Sequence, residues 1–101
     1  PEYRFNDCKY TYPLPFDFYL PNYNTCIEYQ GIQHFEPVDF ANKGKEWANE
    51  NFIIQQMKNK IKLEYCQNNN INLIRIPYWD FNNIEEILHK ELNITYEKEV
   101  I

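Results

Sequence analysis

A chain of 101 residues, 44% hydrophobic and 18% aromatic, carries enough apolar material for one globular core and too little for two. Its longest apolar runs are only a few residues, which excludes a membrane-spanning helix and a secretory leader, so the chain reads as soluble. The formal net charge of -5 argues against a general polyanion binder and leaves any nucleic-acid surface to a local patch.

The opening "PEYRF" has no initiator methionine and enters a strand almost at once, so residues 1–101 read as a single domain cut from a longer protein. "YRF" at 3–5 is a short strand candidate, and "FDFYL" at 16–20 and "TCIEYQ" at 25–30 alternate as strands do. Trp47, Ile54, Met57, Ile61 and Tyr65 recur at helical spacing and predict a helix over 44–68, with Lys58 and Lys62 on its other side. "NLIRIPY" at 72–78 is an apolar strand stopped by Pro77. A second helix over 83–93 follows, with the stripe Ile84, Ile87, Leu88 and Leu92, and with Asn82 and Glu85 spaced as a capping box. Four strands and two helices in this order predict a mixed α/β or α+β sheet flanked by helices.

The segment "FDFYLPNYNTCIEYQ" reads as a hairpin closed by "PNYN" at 21–24. If Leu20 faces Thr25, then Tyr19 faces Cys26 and Asp17 faces Glu28, which sets two acids opposite each other with Cβ atoms about 4.5–5.5 Å apart. Three things can offset that repulsion: a divalent cation, a shared proton, or solvent exposure with a shifted register. The alternation favours the cation, because Asp17, Tyr19, Cys26, Glu28 and Gln30 then share one face while Phe16, Phe18, Leu20, Ile27 and Tyr29 fill the other. Two hard carboxylates suit magnesium, with manganese as a substitute, and magnesium bound this way can also take a phosphate oxygen. Gly31 permits a bend that would return His34 to the acids, as general base on an attacking water or as a metal ligand. A turn histidine satisfied by backbone is the plain alternative.

At these residues the sequence resembles the PD-(D/E)XK nuclease superfamily, in its branch of very-short-patch-repair-like and phage or homing-type endonucleases. "PLPFDFYLPNYNTCIEYQGIQHFEPV" is similar to the central hairpin of that branch, "KNKIKLEYC" to the following helix and "NNNINLIRIPY" to the next strand. The resemblance implies a restriction-endonuclease-like mixed central β-sheet and magnesium-dependent cleavage of DNA. It also implies a site of Asp17, Glu28, Gln30 and His34, with Asp17 and Glu28 as metal ligands, in an intracellular protein, cytoplasmic or nuclear, or one encoded by a phage or virus. Gln30 stands where the superfamily pattern has lysine, and Asn59 where an acid often precedes the "IK" of the helix. The helix that such enzymes carry before the first strand, with a further glutamate, is expected to lie outside this chain.

Lys43, Lys45, Lys58, Lys60 and Lys62 form the one basic concentration, and of these Lys45, Lys58 and Lys62 are the expected DNA contacts. Trp79, in "PYWDF" at 77–81, is expected to pack under the last helix rather than to wedge against bases. Two further readings remain beside the nuclease. One is a catalytically degenerate module of the same fold that binds DNA or protein. The other is a zinc-binding interaction domain, which would need Cys8, Cys26, Cys66 and His34 to converge; without that, the three cysteines are reduced, buried thiols.

Overall fold

The loop "PNYN" folds as a 3-10 turn at Pro21–Tyr23, closed by Asn24 in the left-handed conformation at φ 48°. That turn fixes the register of the hairpin it joins. In the computed structural model, which describes residues 2–93, β3 (Phe18–Leu20) runs antiparallel to β4 (Thr25–Gln30), pairing Leu20 with Thr25, Tyr19 with Cys26 and Phe18 with Ile27. β5 (Asn72–Pro77) lies parallel to β4, and its register sets Glu28 beside Arg75. The three strands form a mixed sheet in the order β3-β4-β5. A separate two-stranded antiparallel sheet is built from β1 (Tyr3–Lys9) and β2 (Pro13–Phe16).

Each face of the three-stranded sheet is covered by one helix. α2 (Ile84–Glu91) and the residue that follows it bring Ile84, Ile87, Leu88 and Leu92 against Ile27, Ile74 and Ile76, the stripe expected from the sequence. The opposite face meets α1 (Lys45–Asn68) through a core of Cys8, Phe16, Cys26 and Cys66, with Phe5, Tyr19, Ile61, Tyr65 and Leu73 around it. The molecule is therefore a mixed α+β fold. α1 begins at Gly44, whose φ of 104° favours glycine, and the carboxylate of Asp39 accepts the backbone N–H groups of Lys43 and Gly44 at 2.7 and 2.9 Å.

Four expectations change. The chain has five strands among the described residues, because β2 forms despite Pro13 and Pro15; it pairs only with β1, and an edge position tolerates proline. "FDFYL" is broken at Asp17 rather than continuous, so Phe16 loses its phase with Phe18 and is fully buried with Cys26 instead of on the opposite face. Ile54 and Met57 are exposed, and the buried residues of α1 are Ala48, Asn59, Lys62 and Cys66, a face rotated from the apolar stripe. The Asn82 capping box does not form, since the N-terminal cap of α2 is Asn83 and no side chain bonds there.

Phe16 meets Phe5 edge-on at 5.7 Å and has no exposed surface. Phe16→Ala should cost about 3–5 kcal/mol in a urea titration, whereas Ile53→Ala, on the exposed side of α1, should stay within about 0.5 kcal/mol. Equal costs at the two positions would contradict the assignment of the inner face.

Candidate active site

Glu28 belongs to the six-residue strand β4, on the face that α1 covers, and its side chain is 6% exposed. An isolated carboxylate there would be strongly disfavoured, so the burial demands partners. Two arrive from different elements. Lys62 of α1 donates its ammonium to Oε2, and Arg75 of β5 donates Nε–H to Oε1 at 3.2 Å. The same guanidinium donates Nη2–H to the backbone carbonyl of Asn59 at 2.7 Å, tying β5 to α1.

Asp17 lies one residue beyond the last pair of the β3-β4 ladder. Its Oδ2 accepts the backbone N–H of Tyr29 at 2.7 Å, which anchors this carboxylate on β4 beside Glu28. The repulsion expected of two opposed acids is thus offset by Lys62, Arg75 and a backbone N–H, none of which was among the three expected remedies.

His34 ends the 3-10 turn Ile32–His34. Gly31 has ordinary extended angles, φ -74° and ψ 179°, so the return of the chain comes from that turn and not from glycine's freedom. A Cβ there would meet only the amide end of Gln33, a flexible side chain that can move aside. α1 holds the turn by two links. Gln56 donates Nε2–H to the His34 carbonyl at 2.8 Å, and Asn59 Nδ2 lies 3.4 Å from His34 Nδ1. Burial pushes the His34 pKa down, and Lys62 and Arg75 push the same way against Glu28 and Asp17. The two carboxylates alone would push it the other way; the two opposing cations come from α1 and β5.

Asp17, Glu28, Lys62, Arg75 and His34 therefore belong to one electrostatic cluster, with Gln30 two residues along β4 from Glu28. Lys62 is a correction. It was expected on the outer face of α1 as a DNA contact, and it is buried against Glu28 because the carboxylate needs a cation. Lys58 is half-buried with its ammonium 5.6 Å from the Tyr10 ring centroid, and Lys45 is exposed at the start of α1, so the three lysines make no common surface. Arg75 was missed. Its position in "NLIRIPY", an arginine within an apolar strand, was the available signal.

Trp79 does not pack under α2: it is 59% exposed and lies 4.7 Å from Phe35 and 5.1 Å from Tyr78, ring to ring. Tyr78 and Trp79 follow β5 directly, Phe35 follows the Ile32–His34 turn next to His34 in the chain, and the three rings are in mutual contact.

Among the described residues no three His, Cys, Asp or Glu side chains converge as a metal cage. Cys8, Cys26 and Cys66 share a core but are free; burial pushes the Cys8 thiol up to about 11, and its hydrogen bond to Cys66 pushes Cys26 up while drawing Cys66 down. The three thiols sit in an apolar core with Phe16 and, among the described residues, do not converge as a metal cage, so this trio does not fit a zinc site. Magnesium sets a different requirement, since it keeps several waters and takes one or two carboxylates together with substrate phosphate. Asp17 fits this, with Oδ1 carrying no hydrogen bond among the described residues, and a carboxylate such as that of Glu28 has lone pairs beyond the two that Lys62 and Arg75 occupy.

No family model matches the chain, and no solved structure matches it. It is similar to the uncharacterized 094L protein of Frog virus 3, 37% identical over 79 residues, which are 78% of this chain and 48% of that protein. It is also similar to the uncharacterized 307L protein of Invertebrate iridescent virus 6 and 033L protein of Invertebrate iridescent virus 3. These are 35% and 34% identical over 65 residues, in each case 64% of this chain and 31% of the relative. The chain thus spans between about a third and a half of the length of the curated relatives it matches, and all three are viral. Among the described residues no helix is long and apolar enough to cross a membrane.

The lowered His34 pKa gives a direct test. His34 should titrate below the ordinary histidine value of about 6.5 when its ring proton is followed by NMR, and Lys62→Met should raise the midpoint. Between the folded midpoint and about 6.5 the unfolded chain binds the extra proton, so stability should rise with pH across that window. A wild-type midpoint at or above the ordinary value would contradict the arrangement.

Proposed function

We propose that this chain is the catalytic sheet of a virus-encoded, intracellular, metal-dependent DNA endonuclease with a restriction-endonuclease-like fold. The observation that carries the reading is the lysine on Glu28. The sequence pattern asks for an acid and a lysine on one strand, and Gln30 leaves that lysine out. Lys62 returns an ammonium to the acid from α1. With Asp17 anchored on β4 beside Glu28, the chain then has two acids and a lysine gathered at the central strand of the sheet, with an imidazole next to them.

Asp17 and Glu28 would hold magnesium, and the ion when bound would supply an activated water and charge neutralisation at a phosphodiester. Glu28 already carries two cations, which makes Asp17 the principal ligand and leaves much of the ion's binding to the substrate phosphate. Lys62 pairs with the Glu28 carboxylate in its buried setting and brings positive charge to the site. His34, neutral near pH 7, adds a proton-carrying group beside them. The Phe35, Tyr78 and Trp79 rings offer stacking area to exposed bases, which suits a chain whose net charge gives little general attraction to DNA.

A second reading is favoured by one observation. Both oxygens of Glu28 are bonded by cations, Lys62 and Arg75, as expected of a fold-holding ion cluster in a degenerate module that binds DNA or protein without cutting it. Incubation of the longer viral protein containing this chain with plasmid DNA and magnesium, manganese or chelator separates the two. The nuclease reading predicts divalent-dependent nicking or cleavage, and Asp17→Asn should lower the rate by at least about 10²-fold with the urea midpoint little changed. Retained DNA binding without cleavage under every metal condition would favour the degenerate module.

A further inference from the structure

At its inner nitrogen His34 faces an amide, and that amide has another amide behind it. Gln55 Nε2 donates to Asn59 Oδ1 at 3.1 Å, and Asn59 Nδ2 faces His34 Nδ1 at 3.4 Å. Gln55 and Asn59 are one helical turn apart on α1, and Asn59 is buried, so the three groups form a short chain leading from the surface of α1 to the imidazole. An amide cannot donate and accept through the same atom, so once Gln55 takes Asn59 Oδ1 the group left for His34 is an N–H donor. A ring nitrogen facing a donor must be the unprotonated one.

We propose that Gln55 and Asn59 are positioning residues that hold neutral His34 with its proton on Nε2, so that it serves the site as a hydrogen-bond donor and not as the base that takes a proton from water. The assignment of a phosphate oxygen as the acceptor rests on the nuclease reading; the tautomer does not. A neutral imidazole donating Nε2–H gives up no proton, so its contribution is to stabilise developing negative charge on oxygen. The electrostatic surroundings agree. Glu28 and Asp17 favour the imidazolium, Lys62 and Arg75 oppose it, and burial tips the balance to the neutral ring. A nearby acid in place of Asn59 would do the reverse, accepting a hydrogen bond from Nδ1–H and leaving Nε2 as a base.

The test reads the tautomer itself, by long-range proton-nitrogen correlation of His34 in the ¹⁵N-labelled protein at neutral pH, without DNA or metal. Wild type should show a protonated Nε2 and an unprotonated Nδ1. Gln55→Glu leaves only acceptors behind Asn59, so the Asn59 amide must turn its N–H₂ outward and present Oδ1 to His34, and the tautomer should switch to Nδ1–H. Asn59→Asp should switch it as well. Among the described residues Gln55 bonds Asn59 and makes no hydrogen bond to His34, so a switch caused from there acts through the Asn59 amide. A wild-type ring protonated on Nδ1, or a tautomer unmoved by both substitutions, would overturn the proposal. Because no DNA is present, either result stands whether or not the plasmid assay shows cleavage.

Discussion

Glu28 is a carboxylate buried in the middle of a sheet face, and the arrangement around it follows from the need to keep that charge paired. Two cations close on it, one from α1 and one from β5, and both have to be in place together. Lys62 fixes the rotation of α1 about its own axis, and Arg75 fixes the same helix a second time through the carbonyl of Asn59. With that rotation set, Gln55, Gln56 and Asn59 fall beside the Ile32–His34 turn and determine where the imidazole goes. Such a cluster contributes little net stability over an apolar replacement of the same shape, since desolvation consumes most of the attraction. What it supplies is a single docking angle for a helix whose outer apolar residues, Ile53, Ile54 and Met57, would otherwise compete for the core.

The parts of the fold governed by local rules were legible in the sequence. β4 was bounded at Thr25 and Gln30 by its alternation, the hairpin register followed from the length of "PNYN", and the inward stripe of α2 followed from helical spacing. The parts governed by contacts across the chain were not. The inner face of α1 carries Asn59 and Lys62, residues that a hydrophobic pattern assigns to solvent, and their burial makes sense only once Glu28 is known to face them 34 residues away. The break at Asp17 was hidden for a related reason. Alternation continues through "FDFYL" on paper, but a carboxylate bonding to the Tyr29 N–H interrupts the ladder and sends Phe16 into the other core.

The candidate site was legible as a set of acids and illegible as a set of charges. Asp17, Glu28 and His34 were found by type and spacing, and the structure brings them into one electrostatic neighbourhood. The counter-charges came from α1 and β5, so the sign of the His34 shift could not be read from the strand alone. This also changes what Gln30 means. A strand without its lysine looks degenerate in one dimension, whereas the fold draws an ammonium from a helix and leaves the carboxylate paired.

The account stands on the coupling between Glu28 and Lys62, and a double-mutant cycle measures it directly. Urea titrations of wild type, Glu28→Gln, Lys62→Met and the double variant should show each single change costing about 3–5 kcal/mol, because each strands a buried charge or donor. The double variant should be far more stable than the sum of the singles implies, with a coupling energy of at least about 1.5 kcal/mol. Additive losses, with a coupling near zero, would contradict the claim that this buried pair sets the position of α1 and, through it, the site.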